Sequence, residues 1–286
     1  MTVKPVRSES AAELLRDSDI RLAFFDIDGT LLGLDGNYSA RVRDAIAAAR
    51  SRGIKTAVAS GRPRFAAQFL IDELQLSDAG LFYTGALLYD PSCDRQLAIH
   101  PLEDDLSAKL LWAATELDLY TEICTERHFF VEKLSPLGRS HSQHLRVTPD
   151  ECELPSVIGA EPILKFLFAV DQRENHEQLY ALERRFPEAT FAYAHMASEP
   201  DWLFASVISK AACKERGFQQ LLDYHGVSAR QVIAFGDAHS DMTFLSLAGI
   251  GVAMGNASAE VIAVADVQTA PVWEDGVAMV LEQLAN

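Results

Sequence analysis

Apolar residues recur along the chain in two rhythms, and their alternation predicts the architecture. Residues 21–26 hold an almost unbroken apolar run, Leu22-Ala23-Phe24-Phe25, that reads as a buried strand. In residues 39–52, Val42, Ala45, Ile46 and Ala49 fall at i, i+3, i+4 and i+7, one face of a helix, and Gly53 stands where a C-cap is expected. Residues 54–59 are a second apolar run. Strand, helix, strand in about forty residues is a βαβ unit and implies a parallel sheet. A helix over 64–74, a strand over 80–84 and a hairpin through Gly85 into 86–90 follow.

From about Pro91 to Pro200 the order changes. A helix over 103–118, strands near 120–125 and 128–133, a strand over 163–171, a helix over 174–186 and a strand over 190–195 give an α+β succession. This predicts a second domain inserted into the first, with residues 1–88 and 201–286 as the core and 89–200 as the insert. Residues 137–153 are the least legible stretch. The chain returns to the first pattern near Leu203, with a helix, a strand over 231–235, a strand over 249–254, a helix over 258–265 and a closing helix. The fold class is therefore α/β, a Rossmann-like doubly wound parallel sheet with an inserted α+β cap.

Composition narrows the function. With 286 residues and 49% hydrophobic content the chain can bury a large core. A formal net charge of −16 argues against a surface for nucleic acid or anionic membrane, which need dense Lys and Arg. The four cysteines, Cys93, Cys124, Cys152 and Cys213, are widely spaced and read as reduced thiols. The first 19 residues lack the apolar core of a signal peptide, and no window reaches membrane-spanning length. A cytoplasmic enzyme for small molecules, monomeric or homodimeric, is the expectation.

The chemistry concentrates at strand ends. Asp26 and Asp28 follow the first apolar run, one residue apart, before the turn at Gly29. Side chains at i and i+2 of a strand share a side, so both carboxylates can serve one small volume. Such a pair needs a positive neighbour, and Mg²⁺ with its preference for oxygen ligands is the natural one. Ser60-Gly61-Arg62-Pro63 ends the second strand, where ligands of open parallel sheets bind, so Ser60 can hydrogen-bond a phosphoryl oxygen. Arg62 can meet a substrate anion or pair with a carboxylate. Lys210 and Lys214 both lie before a helix that leads to Gly236-Asp237-Ala238-His239-Ser240-Asp241. His141 and His144, at i and i+3, could share a helix face; with no carboxylate or cysteine completing a metal set, they read as solvated or substrate-facing.

Asp-Ile-Asp-Gly-Thr at 26–30 resembles the first motif of the haloacid dehalogenase (HAD) superfamily of phosphohydrolases, and Ala59-Ser60-Gly61-Arg62-Pro63 resembles the second motif of its Cof-like branch. Lys214, 23 residues before Asp237, fits the family register of a third-motif lysine better than Lys210. Residues 236–241 resemble the fourth motif, and Gly251-Val252-Ala253-Met254-Gly255-Asn256-Ala257 is a further family stretch. The resemblance implies Asp26 as nucleophile, Asp28 as acid and base, and Ser60, Gly61 and Lys214 as the phosphate grip. It implies Mg²⁺ on Asp26, the Asp28 backbone and Asp237, with Asp241 in support and Asn256 near the substrate. A cap of type IIB would lie over the site. Four positions depart from the family pattern: Thr84 replaces an Asn, Cys213 a Ser, Glu215 a Gly, and Ser240 an Asn. The expected function is a Mg²⁺-dependent phosphatase of small phosphorylated metabolites acting through an aspartyl-phosphate. The alternatives are a phosphosugar mutase with the same chemistry and a catalytically silent binding module.

Overall fold

A computed structural model describes residues 11–16, 18–175, 177–196 and 198–284. Residues 1–10, part of the segment read for a leader sequence, lie outside the described residues. Helix α1 (Ala11–Arg16) leads into strand β1 (Leu22–Phe25), helix α2 (Ala40–Ser51), strand β2 (Lys55–Val58) and helix α3 (Arg64–Leu74). Ser39 caps α2 by accepting the Val42 amide at 3.1 Å, and Val42, Ala45, Ile46 and Ala49 are the residues α2 buries. An antiparallel sheet of β3 (Gly80–Phe82), β4 (Leu87–Asp90) and β5 (Arg95–Ile99) comes next, joined to the end of β2 by the Ala59–Leu81 bridge.

The insert contains α4 (Asp104–Glu116), β6 (Tyr120–Cys124), β7 (Phe129–Val131), α5 (Pro136–Leu145), β8 (Asp150–Glu151), β9 (Lys165–Asp171), α6 (Gln172–Asn175), α7 (Glu177–Arg185), β10 (Ala189–Met196) and β11 (Glu199–Ser209). Its six strands run in the order β10-β11-β9-β6-β7-β8. The chain then gives α8 (Lys214–His225), β12 (Val232–Gly236), α9 (Met242–Leu247), β13 (Ile250–Ala253), α10 (Ala259–Ile262), β14 (Val267–Gln268) and α11 (Gly276–Gln283).

The core sheet is parallel throughout, in the order β14-β13-β12-β1-β2. Its central strands alternate between two apolar faces, as a period of two requires. Ala23, Phe25, Ile233 and Phe235 pack with α2, α3 and α11, whereas Leu22, Phe24, Val232 and Ala234 pack with α8 and α9. Helices on both faces make the sheet doubly wound. Each fully buried Phe or Leu contributes about 1.5–3 kcal/mol relative to exposure, so β1 alone anchors the layer firmly.

Several elements differ from the sequence reading. Strand β11 pairs with β9 and β10, so residues 201–209, expected in the core, lie in the sheet of the insert. Residues 89–99, expected in the cap, complete the small sheet beside β2, with Leu88, Leu97 and Ala98 packed into the core cluster around Phe24. The helix expected over 258–265 is the single turn of α10, and the one expected over 174–186 is α6 followed by α7. Residues 137–153 supply α5 and β8. Among the described residues no helix is long and apolar enough to cross a membrane, and all four cysteines are free.

Candidate active site

The carboxyl ends of β1, β2 and β12 converge, and the polar motif residues follow them directly. Asp26 continues β1 and donates its amide to Phe235 O at 3.0 Å, which ties the two strand ends together. The chain then folds back in a turn in which Ile27 O accepts the amides of Thr30, Leu31 and Leu32. Gly29 makes this turn possible: its φ is +83°, and a Cβ there would lie 2.2 Å from Asp237 Oδ2.

Carboxylate oxygens of Asp26, Asp237 and Asp241 lie within 4.8 Å of one another. Lys214, the first residue of α8, donates to Ser240 O, and its Nζ stands 3.8 Å from Asp241 Oδ1. Lys210 instead donates to Pro187 O at an exposed position. Asp26 is 7% exposed, and burial, then the charges of Asp241, Asp237 and Asp28, push its pKa well above the usual carboxylate range. Burial and Asp241 likewise push Asp237 up to about 7, against the opposing hydrogen bond from Thr30. Three crowded carboxylates facing one lysine leave negative charge uncompensated, and an all-oxygen donor set suits a hard divalent cation. The cluster therefore fits a metal ion.

Surrounding groups hold these carboxylates in place. Thr30 Oγ1 donates to Asp237 Oδ1 at 2.9 Å, and Asn256 Nδ2 donates to Asp237 Oδ2 at 3.2 Å and to Gly29 O at 2.9 Å. Asn256 Oδ1 accepts the Val272 amide at 3.0 Å. Its amide group is thus engaged by the protein, and Asn256 steadies Asp237. Asp241 Oδ2 accepts the amides of Asp237 and Ala238, closing the turn after β12. Ser240 Oγ donates to Asp241 Oδ1 at 3.2 Å, so it bears on the cluster through that carboxylate. Thr30 went unmarked in the sequence reading although it completes the first motif.

Asp28 sits close enough for its charge to act on both Asp26 and Asp237. Its carboxylate is not part of the three-acid cluster, because the turn after Asp26 directs it toward Arg62 and the insert. Arg62 Nε and Nη2 grip it at 2.7 and 2.6 Å, a bidentate pair with the arginine buried and the carboxylate part-exposed. Burial would raise the Asp28 pKa, but the Arg62 hydrogen bonds and charge outweigh it and hold the carboxyl below its usual range. Ser60 is buried at the end of β2, and its Oγ accepts the Arg62 amide at 3.3 Å. Gly61 passes close to Thr84, whose Oγ1 would be 3.2 Å from a Cβ at Gly61. Thr84 has φ +57°, a conformation that suits Asn better than a β-branched residue.

The insert reaches the site through α5. His144 Nε2 is 3.4 Å from Asp28 Oδ1, and Arg62 Nη2 donates to His144 O at 3.2 Å. His141, one turn earlier, bonds Glu122 of β6 through Nδ1 at 2.8 Å. Glu122 escaped the sequence reading because only the fold brings it to the histidines.

The model for haloacid dehalogenase-like hydrolases matches residues 23–281. The chain is 28% identical over 275 residues to the Bacillus subtilis (strain 168) protein named "Putative phosphatase YxeH", covering 92% of this chain and 98% of that one. It superposes with a TM-score of 0.82 on a haloacid dehalogenase-like hydrolase from Bacteroides thetaiotaomicron, at 25% identity over 93% of this chain and 99% of that one. It shares the fold of the HAD subclass IIB sugar phosphatase BT4131, with a TM-score of 0.78 at 22% identity, covering 92% and 98% of the two chains. Strand-end carboxylates, a doubly wound core and a match along nearly its whole length place this chain in the family of haloacid dehalogenase-like hydrolases.

Proposed function

We propose that the chain is a Mg²⁺-dependent phosphatase that hydrolyses small phosphorylated metabolites, sugar phosphates or similar phosphomonoesters, through an aspartyl-phosphate on Asp26. One observation carries the reading: the buried Asp26 carboxylate stands with Asp237 and Asp241 at the end of the central strand, and Lys214 beside Asp241 supplies a cation. Phosphoryl transfer asks a protein mainly for positioning and charge stabilisation, and this arrangement offers both.

Asp26 and Asp237, with Asp241 in support and the Asp28 backbone carbonyl, would hold the Mg²⁺, which neutralises charge on the nucleophile and phosphoryl oxygens when bound. In the first step an Asp26 oxygen forms a bond to phosphorus as the ester P–O bond breaks, and Asp28 gives its proton to the departing alkoxide. In the second, Asp28 takes a proton from water, the water oxygen bonds to phosphorus, and the acyl-phosphate bond breaks to free phosphate and restore Asp26. Ser60, the Gly61 backbone and Lys214 hold the transferring oxygens. Arg62 keeps Asp28 ionised in the free site. The acid role therefore needs the substrate to draw the guanidinium away, which gives Arg62 an anionic oxygen to meet.

The test is phosphate release from a panel of phosphorylated metabolites with Mg²⁺ or EDTA, beside Asp26→Asn. The expected outcome is release that EDTA abolishes and that Asp26→Asn lowers by at least ~10³-fold while the melting transition persists, as for loss of a covalent nucleophile. Full turnover by Asp26→Asn would refute the covalent route.

A further inference from the structure

Glu122 has no part in phosphoryl transfer, yet the fold invests in it. It is 0% exposed in the middle of the insert's sheet, where an unpartnered carboxylate would be costly and an apolar residue would pack more simply. Tyr120 Oη donates to Glu122 Oε1 at 2.6 Å, and His141 Nδ1 contacts both carboxylate oxygens at 2.8–2.9 Å. His141 in turn backs His144: the rings are near-parallel, 17° apart in plane, with centroids 6.3 Å apart. Helix α5 sits hard on this chain, since a Cβ at Gly138 would lie 2.8 Å from Tyr120 Oη. The result is an imidazole fixed over the acid–base carboxylate, with Nε2 3.4 Å from Asp28 Oδ1.

The geometry points to His144 as a specificity-determining residue that binds a hydroxyl on the leaving alcohol, with Glu122 and His141 as its positioning residues. The inference rests on the phosphatase reading of the site. A proton donor approaches the ester oxygen within hydrogen-bond distance, so Asp28 fixes where that oxygen sits. A hydroxyl one carbon beyond the ester carbon then falls within reach of His144, whose ring offers one donor and one acceptor. The substrate class is a polyol or sugar phosphate with a hydroxyl vicinal to the ester, rather than a simple alkyl or aryl phosphate.

A near-isosteric pair, 2-hydroxyethyl phosphate and n-propyl phosphate, tests it. The wild-type chain is expected to favour the hydroxyethyl ester by about tenfold in kcat/KM, the scale of one hydrogen bond in a desolvated site. His144→Leu should erase the preference by lowering kcat/KM for that ester about tenfold more than for the propyl ester, and Glu122→Gln should reduce it part-way. Equal losses on both esters would show a merely structural role and overturn the inference, as would a wild type without preference. Calorimetric titration of both esters into Asp26→Asn and Asp26→Asn/His144→Leu gives a readout independent of turnover. Absence of all turnover with a His144-dependent binding preference would sink the phosphatase reading and cut this one back to hydroxyl binding at His144. Absence of that preference in binding would sink this one.

Discussion

At Asp28 two demands meet: the acid role proposed for it requires a proton, and Arg62 holds this carboxyl below its usual range. Asp26 faces the opposite situation, crowded by like charges that disfavour its ionised form. Carboxylates two residues apart are thus driven in opposite directions, the kind of separation that divides roles between paired acids. The same scale decides between the lysines. Lys214 stands at the carboxylate cluster and Lys210 on the surface at Pro187 O. Lys214→Ala is expected to lower kcat/KM by about 10²–10³-fold, the range for removing a donor to developing charge, and Lys210→Ala to leave it near wild type; steady-state kinetics on the two variants will check the ranking. Motif residues such as Asp26, Ser60 and Asp237 were legible because each follows an apolar strand and adjoins a turn residue, all local signals. Glu122 was not, because its partners are 2 and 19 residues away and only packing brings His141 to it.

Elements whose identity depends on their own periodicity were legible, and those that depend on a neighbour were not. Helices α2 and α3 carry their buried stripes in sequence and appear where expected. Strand β11 opens on Glu199-Pro200-Asp201, which reads as a break, and Pro is tolerated there because it lies at the strand's start. Its membership in the insert's sheet is set by pairing with β9 and β10, which sequence rhythm does not encode. Helix α5 shows what such placement controls. Adding one methyl as Gly138→Ala would press the helix off Tyr120 Oη. The expected result is a drop of about 1–3 kcal/mol in stability, as for overpacking, together with a lower kcat/KM for the favoured substrate. Thermal melts and kinetics read the two effects separately, and an unchanged pair would place α5 further from Tyr120.

For the molecule as a whole, the acidic cluster ties stability to pH. Asp237, with a folded pKa of about 7, and Asp26, also raised, bind protons more tightly in the folded chain than in the unfolded one. Without metal, the folded state then holds more protons than the unfolded state from roughly pH 4, the usual carboxylate value, up to about 7, so stability falls as pH rises through that window. Asp28, shifted the other way, contributes stability above its unfolded value that is lost only as pH falls through its lowered folded pKa. In EDTA the melting temperature should therefore decline between about pH 5 and 7. Asp237→Asn should flatten the decline, and Mg²⁺ should restore the wild type most at high pH, where the ligands are deprotonated. An EDTA profile identical in wild type and Asp237→Asn would remove Asp237 as its source.

The core's apolar cluster does not stop at the boundary of the insert. Cys124, Phe129, Val131, Leu145 and Leu164 are buried in the same cluster as Tyr83 and Tyr89, and Tyr83 Oη donates to Thr125 O at 2.6 Å. This seam is a closure that resists parting, since separating the layers would wet its apolar surface. Product egress is therefore expected to limit turnover in the proposed cycle, as is common for lidded enzymes. In rapid-quench experiments, total phosphate should run ahead of phosphate reaching a sensor in solution by one equivalent per chain. Coincident traces would mean that bond-breaking keeps the time.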